Sequence, residues 1–324
     1  VSDDMTLKDV SSSSTYTWYN YIKPEKTVEI VNHLKNAAES GQQIFYNIYT
    51  EEEMQADSSL RDTGLFFFKG EDNAKFAVCN AGGGFAYVGA MHDSFPHALE
   101  LSKMGYNAFA LIYRPDAPYD DLARAIEFIH DNADTLKVDP DDYSLWGGSA
   151  GARMAAMLGN SDYLQQLTGR TDIGQAGAVI MQYTGYTYTS KADAPTYVCV
   201  GTSDGIANWK TMQNRLNTLE SYGIPTEFHA YEGLPHGFGL GTGTVAEGWI
   251  YDAVNFWEEQ LSGTIPTKRE PANLQNCLMK RELLNGSIEF GTQEKDGFIV
   301  DNVLHSDTQG DIHFSSYIPE SYDG

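Results

Sequence analysis

The chain has 324 residues, 41% of them hydrophobic and 20% charged, which suits one large globular domain plus an accessory segment, or two domains. Lys and Arg total 21 against 45 for Asp and Glu, a formal charge of −24 that disfavours nucleic acid and anionic membrane surfaces as partners. Cys79, Cys199 and Cys277 are too few and too scattered for a disulfide framework or a zinc site, and no apolar run reaches the ~18 residues of a membrane helix.

Taken in order, residues 1–24 are polar and then aromatic (Tyr16, Trp18, Tyr19, Tyr21), and read as an arm packed on the domain that follows. The acidic start Val1-Ser2-Asp3-Asp4 does not have the make-up of a signal peptide; a mature secreted chain is the expectation, with a cytoplasmic one left open. Apolar residues at helical spacing predict a helix over 25–40, stopped at Gly41. Strands are predicted at 43–49, 65–69 and 75–80, the first two antiparallel, with a turn at 70–73. After three glycines, Gly82, Gly83 and Gly84, comes a helix over 92–104. The continuous apolar run 107–113 predicts a strand buried on both faces, and 122–132 a helix with Ile126 and Ile129 inward. Strand 143–146 and helix 152–158 bracket Gly147-Gly148-Ser149-Ala150-Gly151. The alternation continues with strands at 176–182, 195–201 and 226–231 and helices at 209–222 and 245–261. Strands alternating with helices of this length predict a mostly parallel sheet flanked by helices. Residues 1–262 are thus expected to form an α/β catalytic domain, and 263–324 a β-rich extension with strands at 287–290, 297–303 and 311–318. The extension reads equally as a small β appendage or as a linker and the start of a further domain.

Strand, tight turn and helix around Gly-x-Ser-x-Gly is the context of a nucleophile elbow, in which small flanking residues let a strained serine stand at a helix N-terminus. A serine hydroxyl needs a base and an orienting acid, and on such a sheet these follow in the order serine, acid, histidine, each after a later strand. Asp204 follows strand 195–201 and His236 follows strand 226–231, within Gly233-Leu234-Pro235-His236-Gly237. Asp193 is the rival acid but precedes its strand; His92, at the start of its helix, borders the same region. An oxyanion needs backbone donors, and the expected ones are the amides of Ala150, Gly83 and Gly84. Arg153, four residues past the serine, reads as a buried salt-bridge partner. No histidine pair has metal-ligand spacing or company, so neither metal nor cofactor is expected.

Three motifs carry a family resemblance: Ala81-Gly82-Gly83-Gly84-Phe85, Gly147-Gly148-Ser149-Ala150-Gly151-Ala152 and Ala110-Leu111-Ile112-Tyr113-Arg114-Pro115. Over about residues 40–261 the chain resembles α/β-hydrolases of the acetyl-esterase and hormone-sensitive-lipase-like group. The resemblance implies an α/β-hydrolase fold and a serine esterase with Ser149, Asp204 and His236 as triad. Two departures stand out. Ala81 occupies the place where the family usually has histidine, and Gly148 the place where it often has aspartate. They put the chain nearer bacterial esterases of acylated plant polysaccharides. The segment between strands 176–182 and 195–201 is too short for a large lid, so short or aromatic acyl groups are expected, acetyl or feruloyl esters among them. Phe85, Trp146, Tyr183 and Tyr186 are candidates to contact the substrate, a small-molecule or polysaccharide-linked ester. A serine exopeptidase on the same fold and a non-catalytic binding module remain alternatives. Nothing in the sequence bears on oligomeric state.

Overall fold

The computed structural model describes residues 23–261 and, further along, four strands between residues 287 and 316. The aromatic arm before residue 23 and the expected boundary at residue 262 lie outside the described residues.

The first body is built on an eight-stranded sheet in the order β1-β2-β4-β3-β5-β6-β7-β8. Its strands are β1 (Phe45–Asn47), β2 (Gly64–Phe68), β3 (Ala74–Asn80), β4 (Asn107–Ile112), β5 (Val138–Gly148), β6 (Ala178–Gln182), β7 (Thr196–Gly201) and β8 (Thr226–Tyr231). Strand β2 runs antiparallel to both β1 and β4, while β4, β3 and β5 to β8 run parallel. Strands β3, β6 and β7 are buried at every residue, as expected of strands covered on both faces.

The cover comes from helices, in chain order α1 (Pro24–Glu39), α2 (Glu51–Ala56), α3 (Ala90–Asp93), α4 (Phe95–Lys103), α5 (Pro118–Asp131), α6 (Ala133–Leu136), α7 (Ala150–Leu158), α8 (Ser161–Thr168), α9 (Trp209–Ser221) and α10 (Trp249–Glu258). Helix α7 packs on β3, β5 and β6 with α5 and α8 beside it; α4 packs on β2, β3 and β4, and α10 on β6 and β7. Helix α5 shows why the local sequence folds so: Pro118 opens it where the missing N–H costs nothing, and Leu122, Ala125, Ile126 and Ile129 form its buried stripe. Among the described residues, no helix is long and apolar enough to cross a membrane.

The predicted alternation of strands and helices is present, with corrections. The helix expected over 92–104 is two, broken at Ser94, where φ −126 and ψ −51 leave the helical range just ahead of Pro96. The helix expected from 245 starts only at Trp249, after Gly248 at φ 94. The strand expected over 43–49 shrinks to three residues, and β5 is longer than the predicted 143–146. Beyond the first body, β9 (Ser287–Glu289), β10 (Glu294–Lys295), β11 (Phe298–Ser306) and β12 (Gly310–Ser316) form an antiparallel sheet; β10 was not predicted.

Candidate active site

Five parallel strands deliver the candidate residues from their carboxyl ends, the edge at which open α/β sheets bind ligands. Strand β3 ends at Asn80 and runs into Gly82-Gly83-Gly84; β5 ends at Gly148 beside Ser149; β6 ends at Gln182 beside Tyr183; β7 and β8 lead into Asp204 and His236.

The turn at Ser149 is tight because two backbone segments touch. A Cβ on Gly147 would lie 2.2 Å from the Gly151 carbonyl carbon, and one on Gly151 would lie 2.0 Å from Asn80 O. Only glycine fits either place. Ser149 itself sits at φ 53, ψ −114, a conformation that costs a non-glycine residue on the order of 1–3 kcal/mol. Its amide donates to Gln182 O at 3.0 Å, which pins the strained residue to the end of β6.

The structure brings the three expected triad residues together. Ser149 Oγ lies 3.0 Å from His236 Nε2, and His236 Nδ1 donates to Asp204 Oδ2 at 2.8 Å. With Nδ1 holding the proton, Nε2 is free to accept one. The Asp204 side chain is fully buried, and its other oxygen accepts from the amides of Ile206 and Ala207, both at 2.7 Å, so the carboxylate has one orientation.

The amides of Gly83, Gly84 and Ala150 make no hydrogen bond within the described protein, and Gly83, Gly84 and Ser149 line one cleft of about 290 Å³. Tyr87, His92, Asp93, Tyr183, Ile206 and His236 are among its other walls. Gly83 takes φ 134 there, and a side chain on it would strike Tyr87 O at 2.0 Å.

Three supports hold the glycine loop. Asn80 Nδ2 donates to Trp146 O at 2.9 Å, tying β3 to β5. Tyr113 OH donates to Ala81 O at 2.8 Å. The next residue, Arg114, forms a double contact with the buried carboxylate of Asp121, so the Tyr113-Arg114-Pro115 motif fixes a tyrosine under the loop. The third support is Asp93, which sequence reasoning passed over inside a helix that is in fact broken. Its Oδ2 accepts from Gly82 N at 3.0 Å and its Oδ1 from Tyr183 OH at 2.5 Å. Tyr183 OH in turn accepts from Gly239 N at 3.2 Å, and the Tyr183 ring meets His236 edge-on at 4.9 Å. A chain of buried contacts thus joins the glycine loop to the histidine loop. Burial and the neighbouring Asp93 charge push the Tyr183 hydroxyl well above its usual range, so it stays a neutral donor.

Asp93 also accounts for Gly148. A Cβ at position 148 would lie 2.7 Å from the Asp93 carboxyl carbon. The Asp93 carboxylate of α3 fills the space beside position 148, and glycine makes room for it.

The other expectations fare unevenly. Phe85 is half-buried at φ 57 and packs edge-on against Tyr113 and Tyr119. Trp146 is only 2% exposed, donates to Ser144 Oγ and packs on Trp249; it belongs to the core, and sequence cannot tell on which side of β5 it points. Tyr183 lines the cleft from below, and Tyr186 lies outside it, against Met157. Asp193, the rival acid, pairs with buried Arg215 at 2.9 Å, away from the cleft. Arg153 is corrected too: it is exposed, and its guanidinium lies 5.8 Å from the Tyr186 ring centre rather than in a buried ion pair.

The architecture matches solved structures. An acetyl ester-xyloside bifunctional hydrolase from Caldicellulosiruptor lactoaceticus superposes with a TM-score of 0.58 at 19% identity, over 66% of this chain and 95% of that one. The thermophilic esterase Est2 of Thermogutta terrifontis superposes with a TM-score of 0.56 at 19% identity, over 69% and 94% of the two chains.

The chain has the α/β-hydrolase fold.

Within this fold, residues 69–179 match the family model BD-FAE, a span from β3 to β6 that holds the glycine loop and the elbow. Over 157 aligned residues the chain is 27% identical to endo-1,4-beta-xylanase B of Butyrivibrio fibrisolvens, covering 42% of this chain and 24% of that protein. The chain therefore spans about a quarter of the length of that curated relative.

Proposed function

We propose that this α/β-hydrolase is a serine carboxylesterase acting on short acyl esters of plant-type saccharides. One observation carries the reading: His236 bridges Ser149 Oγ and the buried Asp204 carboxylate, beside three unengaged amides at Gly83, Gly84 and Ala150. That constellation suits acyl transfer and little else.

In the proposed reaction Ser149 Oγ attacks the ester carbonyl as its proton passes to His236 Nε2. The carbonyl oxygen becomes an oxyanion among the amides of Gly83, Gly84 and Ala150, at the N-terminus of α7. Collapse breaks the bond to the alcohol, which leaves with the proton from Nε2. Water then attacks the acyl-enzyme through the same base, releasing the carboxylic acid and restoring the serine hydroxyl. Asp204 holds the imidazole in the useful tautomer throughout.

Substrate size rests on the cleft. At about 290 Å³ it falls at the lower end of ligand pockets, which favours acetyl or similarly short acyl groups. The segment 183–195 between β6 and β7 contains no helix to serve as a lid. The saccharide part is supported by the names of the relatives, one a xylanase and one an acetyl ester-xyloside hydrolase.

Aryl esters of increasing acyl length, assayed beside aminoacyl arylamides, test the reading. Acetyl and propionyl esters should be hydrolysed fastest, and Ser149→Ala should lower kcat by about 10⁴-fold or more with the fold intact. Near-wild-type ester hydrolysis by that variant would remove Ser149 from the chemistry, and preferential cleavage of the arylamides would make the protein a peptidase.

A further inference from the structure

A second pocket, of about 370 Å³, lies between the nucleophile helix and α8, lined by Met157, Asn160, Asp162, Tyr163, Gln166, Tyr186 and Tyr188. We propose that it is a subsite for a neutral saccharide unit of the alcohol part of the substrate, with Tyr188 as its stacking platform; this rests on the esterase reading above.

Its walls are pre-set. Asn160 caps α8 through Oδ1 and donates from Nδ2 to Ser190 Oγ at 2.7 Å and Asp193 Oδ1 at 2.5 Å. Asp193 holds Arg215 at 2.9 Å, and Arg215 Nε donates to Tyr188 O at 3.2 Å. Arg215 and Asp193 are 3% and 6% exposed. One buried network thus fixes both the α8 wall and the loop that carries Tyr188, so little ordering is left for binding.

The lining has the chemistry of a sugar site. Tyr188 is 60% exposed, so its ring face is open to a ligand. Its ring can take the apolar C–H face of a pyranose, while exposed Asp162 and Gln166 offer acceptors and a donor to hydroxyl groups. The Asp162 carboxylate and the charge of −24 both disfavour an anionic occupant.

Position selects the alcohol side. Met157 stands eight residues beyond Ser149, about 12 Å along the helix axis. An acetyl group bonded to the reacting carbonyl cannot span that distance, whereas a saccharide chain leaving from the ester oxygen can. A row of side-chain contacts leads from beside the glycine loop to this pocket: Phe85 packs edge-on against Tyr119 and Tyr119 against Tyr163, while exposed Arg153 lies over Tyr186.

The test pairs kinetics with direct binding. Tyr188→Ala should leave kcat/KM for 4-nitrophenyl acetate unchanged and lower it about tenfold, through KM, for an acetylated xylo-oligosaccharide. Acetylated xylose alone should be insensitive to the substitution. Independently of turnover, unacylated xylo-oligosaccharide should bind Ser149→Ala in calorimetry and lose that binding in Ser149→Ala/Tyr188→Ala. Equal kinetics of wild type and Tyr188→Ala on the oligosaccharide, or sugar binding indifferent to Tyr188, would overturn the subsite even if 4-nitrophenyl acetate is hydrolysed. A loss confined to feruloyl esters would assign the pocket to an acyl ring and overturn it as well. Failure to hydrolyse 4-nitrophenyl acetate would instead remove the esterase reading, leaving the binding arm to judge the pocket.

Discussion

Ser149 carries strain that its neighbours must over-determine, and Asp93 is the residue that does this for the facing loop. Its two oxygens accept from Gly82 N and Tyr183 OH, so the carboxylate serves two loops at once. Asp93→Asn keeps the shape but has one acceptor oxygen where the carboxylate has two, so it cannot accept from both Gly82 N and Tyr183 OH. The expected result is a kcat lower by about 10- to 100-fold with KM little changed, because the displaced amides matter most when charge has developed. Asp93→Ser, which gives up the Tyr183 contact as well, should do no better. A KM effect with unchanged kcat would show that Asp93 shapes binding and not the oxyanion site.

Among the elements, the elbow is the one with least tolerance. Gly151→Ala places a methyl group 2.0 Å from Asn80 O, where both partners are backbone and neither can step aside. That substitution should destabilise by about 3 kcal/mol or more, read as a lowered midpoint in urea with unchanged slope. Near-wild-type stability would mean that β3 and α7 can separate. The elements that place the candidate triad were legible in the sequence because hydrophobic runs such as 107–113 and 195–201 mark buried strands regardless of context. Asp204 was legible by the same logic, as a polar residue shortly after such a run, and His236 by its place on the loop after the next predicted strand, 226–231. Less legible were features set by tertiary contact. The break at Ser94 hides in a helical pattern, yet it is what aims Asp93 at Gly82. Trp146 and Tyr183 stand at the ends of neighbouring strands, and only the packed structure shows one in the core and the other under the cleft. Arg153 lies on a mostly apolar helix, and its aromatic company comes from distant parts of the chain.

For the whole molecule, buried histidines set a lower pH limit. His97 is 2% exposed beside Trp249, and burial holds it down from 6.5 to about 4, against the pull of Asp93. Between those pH values the unfolded chain binds a proton that the folded chain does not, so stability rises with pH across that window and falls on acidification. The loss attributable to His97 approaches roughly 3 kcal/mol at the acid end. His97→Gln should flatten the profile between pH 6.5 and 4 relative to wild type in urea titrations, while parallel profiles would assign the acid sensitivity to other groups. The proposed reaction turns on Ser149 as nucleophile. Its most direct test is an organophosphonate ester mixed with the protein, followed by peptide mapping in a mass spectrometer. A single stoichiometric adduct on Ser149 is expected, formed in step with loss of aryl acetate hydrolysis and abolished in His236→Ala. Hydrolysis that persists after complete labelling, or an adduct on a different residue, would contradict it.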